Sequence, residues 1–253
     1  MGEIILQTVI DKSKSIWITE INTSSIGYWG GFIEFTQIMK TLKQFIQEAI
    51  QRLPYGKTGI VVFDIDDTLI QADEDIMSIG KYVNGDRKHK ISISTEEFAK
   101  DPDGKDHKEW FDFSDFQNPQ KVVQSIIKGT PILKNLRILD AYLNAGYEFC
   151  FLTARGCEDA VKYAIQNVIK YRDDTGVLNS ITPYFNKDVS AAINDANKEY
   201  EGKTDAEKKS NVLREICSKF DYVVFVDDDH KNVARAKELN LNNLTVIKAW
   251  KIN

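Results

Sequence analysis

Val62-Phe63-Asp64-Ile65-Asp66-Asp67-Thr68-Leu69 decides how this chain is read. The run leading into it, Ile60-Val61-Val62-Phe63, is short, continuous, β-branched and aromatic, the pattern of a strand buried on both faces. Such a strand has no room for charge, so the carboxylates that follow mark its C-terminal edge. Ligands of open α/β sheets bind at that edge. Strict alternation would send Asp64 and Asp66 to opposite faces. The chain must therefore turn at Ile65 for both to approach one ligand, and Asp67-Thr68 suits a turn.

Working outward, three more segments share the buried-strand pattern: Phe149–Leu152, Tyr222–Val226 and Leu244–Ile247. Helical periodicity alternates with them. One helix is expected with Pro131 at its first position and Gly146 closing it, burying Ile132, Leu133, Leu136, Leu139 and Leu143. Others are expected over about 158–171, 209–220 and 232–239, with Val161, Ala164, Ile165 and Val168, then Val212, Leu213 and Ile216, facing inward. Strands alternating with helices predict an α/β fold, Rossmann-like, with a parallel sheet covered by helices on both faces.

Two stretches break the alternation. Residues 71–130 are expected to be an insertion of loops around a hairpin built from Lys81-Tyr82-Val83 and Ile91-Ser92-Ile93. Residues 172–208 are polar and irregular. Residues 1–55 form an N-terminal extension ahead of the main domain, 56–253. Within the extension, Phe35, Ile38, Met39, Leu42, Phe45, Ile46, Ile50 and Leu53 recur at helical spacing. That helix is expected to pack on the main domain or to dock a partner or second subunit.

Composition narrows the class. In 253 residues the chain carries a net charge of −5, which argues against a protein that coats nucleic acid non-specifically. No apolar run approaches the roughly 18 residues of a membrane span, so no membrane association is expected. The start, MGEIILQTVIDKSKS, has no basic segment followed by a long apolar one, so no secretory leader is expected. Three cysteines (Cys150, Cys157, Cys217) form no metal-ligand pattern, and reduced thiols in a cytoplasmic protein are the simplest reading. Much of the acidity is clustered, at Asp64–Asp66–Asp67 and again at Asp227–Asp228–Asp229. Like charges this close repel unless a cation joins them or water solvates them.

The stretch 62–69 resembles the first motif of the haloacid dehalogenase (HAD) superfamily, Asp-x-Asp-x-Thr after an apolar strand. The resemblance extends to three further elements in order. Phe149-Cys150-Phe151-Leu152-Thr153 is similar to the second motif, a strand ending in Thr or Ser. A Lys at a helix start is offered by Lys209, with Lys208 and Lys203 as alternatives. Phe225-Val226-Asp227-Asp228-Asp229-His230-Lys231-Asn232 is similar to the last, acidic motif. Together they cover about residues 56–253.

The resemblance implies Asp64 as nucleophile and Asp66 as general acid and base, with Thr153 donating to a phosphoryl oxygen and Lys209 neutralising Asp64 and the incoming phosphate. It also implies Thr68 and Arg155 at the substrate, and Mg2+ held by Asp64, Asp66 (through its backbone carbonyl) and Asp228. Asp227 and Asn232 would serve as further ligands or orienters. His230 reads as incidental. Asp66 separates the chain from the dehalogenase branch, which lacks a carboxylate there, so phosphomonoester hydrolysis is the expected activity.

The short motifs also resemble small phage-type HAD hydrolases and the phosphatase half of polynucleotide kinase–phosphatases, which implies a nucleotide or nucleic-acid 3′-phosphate as substrate. Arg155 and the cations of the insertion (Lys81, Arg87, Lys88, Lys90) would then supply backbone contacts. Two other readings compete: a phosphatase of small metabolites, sugar or nucleoside monophosphates, and a non-catalytic HAD-fold binding module.

Overall fold

A computed structural model describes residues 52–71, 76–93, 97–98, 101, 107–168, 170–172, 178–180 and 182–250, with the backbone of two short strands, Thr8–Ile10 and Ile16–Ile18. The chain divides into two compact units, Met1–Ala49 and Ile50–Asn253. In the first, the two short strands pair antiparallel. The helix expected before Leu53 lies outside the described residues. Leu53 itself sits in irregular chain and packs against the core of the second unit.

The second unit is built on a five-stranded sheet. In chain order its elements begin with strand β1 (Gly59–Phe63), followed by the inserted strands β2 (Ile79–Val83), β3 (Asp86–Ile93) and β4 (Phe111–Asp112). Helices α1 (Pro119–Lys128) and α2 (Leu133–Asn144) lead to β5 (Glu148–Thr153). Then come α3 (Glu158–Val168), β6 (Ala191–Ala192), α4 (Asp205–Lys219), β7 (Tyr222–Asp227), α5 (His230–Glu238) and β8 (Leu244–Lys248). The main sheet runs β6-β5-β1-β7-β8, and every pairing in it is parallel. This is the α/β, Rossmann-like architecture expected from the alternation of strands and helices.

Alternation along the strands decides which helix lies where. Val61, Phe63, Phe149, Phe151, Val224 and Val226 face one core with residues of α1, α2 and α3. Ile60, Val62, Cys150, Leu152, Val223 and Phe225 face the other, with Val212, Leu213 and Ile216 of α4 and Ala236 of α5. The chain builds outward from β1 to β5 and β6, then returns to place β7 on the other side. The order of the sheet therefore reverses between β1 and β7, and the crevice at their C-terminal ends is where such sheets bind ligands.

Several local expectations shift. The second helix starts at Leu133, and Pro131 is not its first residue. Thr130 and Pro131 instead pair with Ile70–Gln71, and Ile132 N–H donates to Leu69 O at 2.9 Å, which holds this segment extended. Leu133 consequently points outward, 60% exposed, while Ile132, Leu136, Leu139 and Leu143 are buried as expected. Gly146 closes the helix at φ 96°, a value glycine takes without strain. Helix α3 ends at Val168, short of 171, and α4 starts four residues before Lys209, because a capping box at Thr204 and Glu207 nucleates it there.

The insertion holds the expected hairpin, turned at Asn84-Gly85 with the two positive φ values, 53° and 75°, of a type I′ turn. It also holds α1, a helix where loops are expected from the sequence. Its start signal was present: Asn118 caps Gln120 N and Lys121 N, Pro119 takes the first position, and Val122, Ser125 and Ile126 are buried on one face. The polar stretch 172–208 contributes the edge strand β6. Among the described residues all three cysteines are free, and no helix is long and apolar enough to cross a membrane.

Candidate active site

Strand β1 ends at Phe63, and Asp64 N–H still reaches the neighbouring strand, donating to Val226 O at 2.9 Å. The chain then turns where the sequence required. The N–H groups of Leu69 and Ile70 converge on Ile65 O at 2.9 and 3.0 Å, and Asp67 adopts φ 53°, a left-handed value that Asp tolerates. Asp64 and Asp66 both leave the strand end by this loop, but their side chains meet different cations.

Asp64 is buried, and its Oδ1 lies 2.9 Å from Lys209 Nζ. That contact is an ion pair without hydrogen-bond angles, and Asp64 Oδ1 has no hydrogen-bond partner. Lys209 is 2% exposed and donates to Asp227 Oδ2 at 2.7 Å. One ammonium thus serves two buried carboxylates, from β1 and β7. Neither Lys208 nor Lys203 takes this place: Lys208 Nζ donates to Asn194 Oδ1 at 2.9 Å and to Ile193 O, and Lys203 is exposed.

Carboxylate oxygens of Asp64, Asp227 and Asp228 lie within 4.8 Å of one another. Burial pushes the Asp64 pKa well above the carboxylate range; Lys209 opposes that, and the charges of Asp227, Asp66 and Asp228 reinforce it. Burial also works against the charged form of Lys209, but the attraction of Asp64 and Asp227 outweighs it and raises its pKa. One cation among three acids leaves negative charge in excess. Hard oxygen donors in that surplus suit a divalent cation.

The remaining residues of the acidic motif have separate tasks. Asp227 accepts from Asp229 N at 2.8 Å and from Asn232 Nδ2 at 3.1 and 3.2 Å, besides Lys209. Asn232 therefore orients Asp227. Thr68, fully buried, ties the two strand ends together: its Oγ1 accepts from Asp228 N at 3.1 Å and lies 3.3 Å from Asp228 Oδ1. Asn135 of α2 in turn donates to Thr68 O at 2.7 Å and to Trp250 O at 3.0 Å. Thr153 is buried at the end of β5, and its Oγ1 accepts from Arg155 N at 3.3 Å. His230 is exposed.

Arg155 departs from expectation. The resemblance implies a substrate contact, yet the side chain is 1% exposed and its guanidinium grips Asp66, with Nε to Oδ2 at 2.8 Å and NH2 to Oδ1 at 2.6 Å. NH1 is held by Ser125 Oγ at 2.7 Å and Val122 O at 3.2 Å, both on α1. Four of its five N–H groups are taken by the protein and the side chain is sealed from solvent, so the expected phosphate contact is corrected to an internal pairing. The cations of the insertion are thinned in the same way. Lys81 pairs with Asp101 at 2.6 Å and Lys90 with Asp112 at 2.8 Å, while Arg87 and Lys88 are exposed.

Sequence reasoning also missed Glu158, the buried first residue of α3. It accepts from Lys162 at 2.6 Å, from Tyr200 Oη at 2.6 Å, from Ala192 N at 3.2 Å and from Lys198. Only the helix-start position of an acid hinted at it. No protein-family model matches the chain, and no curated protein does.

Proposed function

We propose that this chain is a Mg2+-dependent phosphomonoester hydrolase of the haloacid dehalogenase superfamily, acting through an aspartyl-phosphate on Asp64. One observation carries the reading. Residues some 145–165 positions apart converge at the sheet's reversal point, with Lys209 Nζ 2.9 Å from Asp64 Oδ1 and 2.7 Å from Asp227 Oδ2, beside Asp228. A lysine buried against a strand-end acid, with two further acids adjoining, is costly for stability unless the charges are used.

Asp64 attacks phosphorus in line, forming an acyl-phosphate as the ester oxygen departs with a proton from Asp66. Water then attacks the same phosphorus, Asp66 takes its proton, and inorganic phosphate leaves Asp64 free. Lys209 holds Asp64 in place and offsets its repulsion of the incoming phosphate. Thr153 supplies a hydroxyl to a phosphoryl oxygen. Asp64, the Asp66 backbone carbonyl and Asp228 are the residues that would hold Mg2+, with Asp227 and Asn232 bracing them. When bound, the ion supplies neutralisation of the charge gathered between carboxylates and phosphate. The buried Asp64 Oδ1, ion-paired to Lys209 at 2.9 Å yet without a hydrogen bond of its own, fits such a cation.

For the substrate, the leading reading is a nucleotide or nucleic-acid 3′-phosphate, its backbone met by Arg87 and Lys88 of the insertion hairpin. Phosphate release from p-nitrophenyl phosphate, nucleoside 5′- and 3′-monophosphates, sugar phosphates and 3′-phosphorylated oligonucleotides tests both levels. Turnover that needs Mg2+ and disappears in Asp64→Asn is expected. Turnover unaffected by EDTA or by Asp64→Asn would overturn the mechanism, and preference for sugar phosphates over oligonucleotide ends would overturn the substrate class.

A further inference from the structure

The pairing of Arg155 with Asp66 has a consequence for the reaction, and it rests on the phosphohydrolase reading above. Arg155 lies on the loop after β5, Asp66 on the loop after β1, and the residues that fix the far side of the guanidinium, Ser125 and Val122, belong to the inserted helix α1. Four of the five guanidinium N–H groups are committed: two to Asp66, one to Ser125 Oγ and one to Val122 O. The Asp66 side chain is 35% exposed and the Arg155 side chain 1%. The acid therefore stands at the mouth of the crevice, and its anchor is sealed behind it.

We infer that Arg155 is a positioning residue for Asp66, a fixed pivot that aims the carboxyl group at the leaving oxygen, and that the inserted helix holds the pivot through Ser125 and Val122. To act as an acid, Asp66 must free one oxygen from the fork, and that freed oxygen carries the proton passed to the leaving oxygen while the other stays bonded to Arg155. Because α1 grips the other side of the guanidinium, Arg155 stays where it is, and Asp66 swings about it. The planar fork sets the starting orientation of the carboxyl group through two bonds and holds the remaining oxygen through one, which the single ammonium of a lysine would not do. The insertion thereby acts on the chemistry without touching the substrate.

The test separates a pivot from a phosphate contact. An aryl phosphate such as p-nitrophenyl phosphate expels a stable phenolate and needs little help from an acid. An alkyl phosphate such as β-glycerophosphate expels an alkoxide and needs the proton. The quantity to compare is kcat/KM with saturating Mg2+, because it ends at transfer to Asp64 and excludes the later water step. Arg155→Gln is expected to lower kcat/KM for the alkyl ester about 10²-fold, the scale of general acid catalysis, and to leave the aryl ester within about fivefold.

Asp66→Asn combined with Arg155→Gln should lose no more on the alkyl ester than Asp66→Asn alone, since groups acting as one unit are not additive. Ser125→Ala, which removes one tether and keeps the fork, should show the same selectivity at about 3–10-fold, and it serves if Arg155→Gln does not fold. Equal losses on both esters would make Arg155 a contact of the transferred phosphoryl group and overturn the inference. So would additive losses in the double variant, or no loss on either ester. Wild-type protein inactive on both esters and on the nucleotide, sugar and 3′-phosphorylated oligonucleotide substrates above would overturn the phosphohydrolase reading, and the inference with it. Only that outcome involves the wild type, so the two failures are told apart.

Discussion

Two buried acids in this molecule show opposite solutions to the same problem. Glu158 receives four donors: two ammonium groups, a phenol and a backbone N–H. Burial works to raise its pKa, and those donors outweigh it, so the pKa ends below the ordinary value. Asp64 shares a single ammonium with Asp227, meets it through an oxygen that makes no hydrogen bond, and is buried among three other acids, so burial and their charges take its pKa well above the ordinary value. A fully satisfied buried carboxylate is an anchor, here fastening α3 to the edge strand β6. An under-satisfied one, at a sheet's reversal point, holds capacity for a ligand.

Replacing each acid by its amide is the sharpest way to break that contrast. Asp64→Asn should reduce Mg2+-dependent phosphate release by about 10⁴-fold or more, while thermal unfolding stays level or rises, because a poorly paired buried charge is removed. A large fall in melting temperature would mean that Asp64 is an anchor too.

Lys209→Met comes next, since it strips the one cation from two buried carboxylates. About 3–5 kcal/mol of stability should be lost in urea unfolding without Mg2+, along with most activity. Partial recovery of stability on adding Mg2+ is expected if a divalent ion takes over the role of the ammonium.

Glu158→Gln should cost about 2 kcal/mol at neutral pH and leave kcat/KM within a few-fold. The sign of its pH dependence follows from its lowered pKa. The stabilisation is complete above the unfolded value of about 4.3 and fades as pH falls through the lower folded value. The gap between wild type and variant should therefore close below about pH 4, as followed by urea midpoints across pH. A gap that widened in acid would contradict the anchor.

Smallest is Thr204→Ala, which removes the cap of the helix carrying Lys209. About 1 kcal/mol is expected, with activity nearly intact, because Lys209 is a full turn further on and held by two carboxylates.

Much of the site was legible before the fold. Asp64, Asp227 and Asp228 stand at the ends of apolar runs, and an apolar run ending in carboxylates has one natural reading in a parallel sheet. The turn at Ile65 followed from the pleat alone. The start of α1 was also legible, in Asn118-Pro119 and the spacing of Val122, Ser125 and Ile126, but the polar residues around it masked the period. The hairpin could be placed, whereas Pro131 was misassigned: its suitability for a helix start is local, and a two-residue pairing with Ile70 overrode it.

The sequence by itself determined four of the five strands of the main sheet, helices α2 to α5 in outline, and that acids would crowd one sheet edge, because strand runs, amphipathic spacing and turn chemistry act over a few residues. Only the tertiary structure decided which cation meets which acid. Lys209, Lys208 and Lys203 are alike in sequence, and a single residue step, about 100° around the helix, separates the one that reaches Asp64 from one that binds a loop carbonyl. Arg155 is a surface residue by type and, among the described residues, the most enclosed cation by position, because a helix 30 residues away supplies oxygens that receive it. Charge pairing is a matter of distance in space, and in a doubly wound sheet that distance is set by the strands' order, which no local pattern encodes.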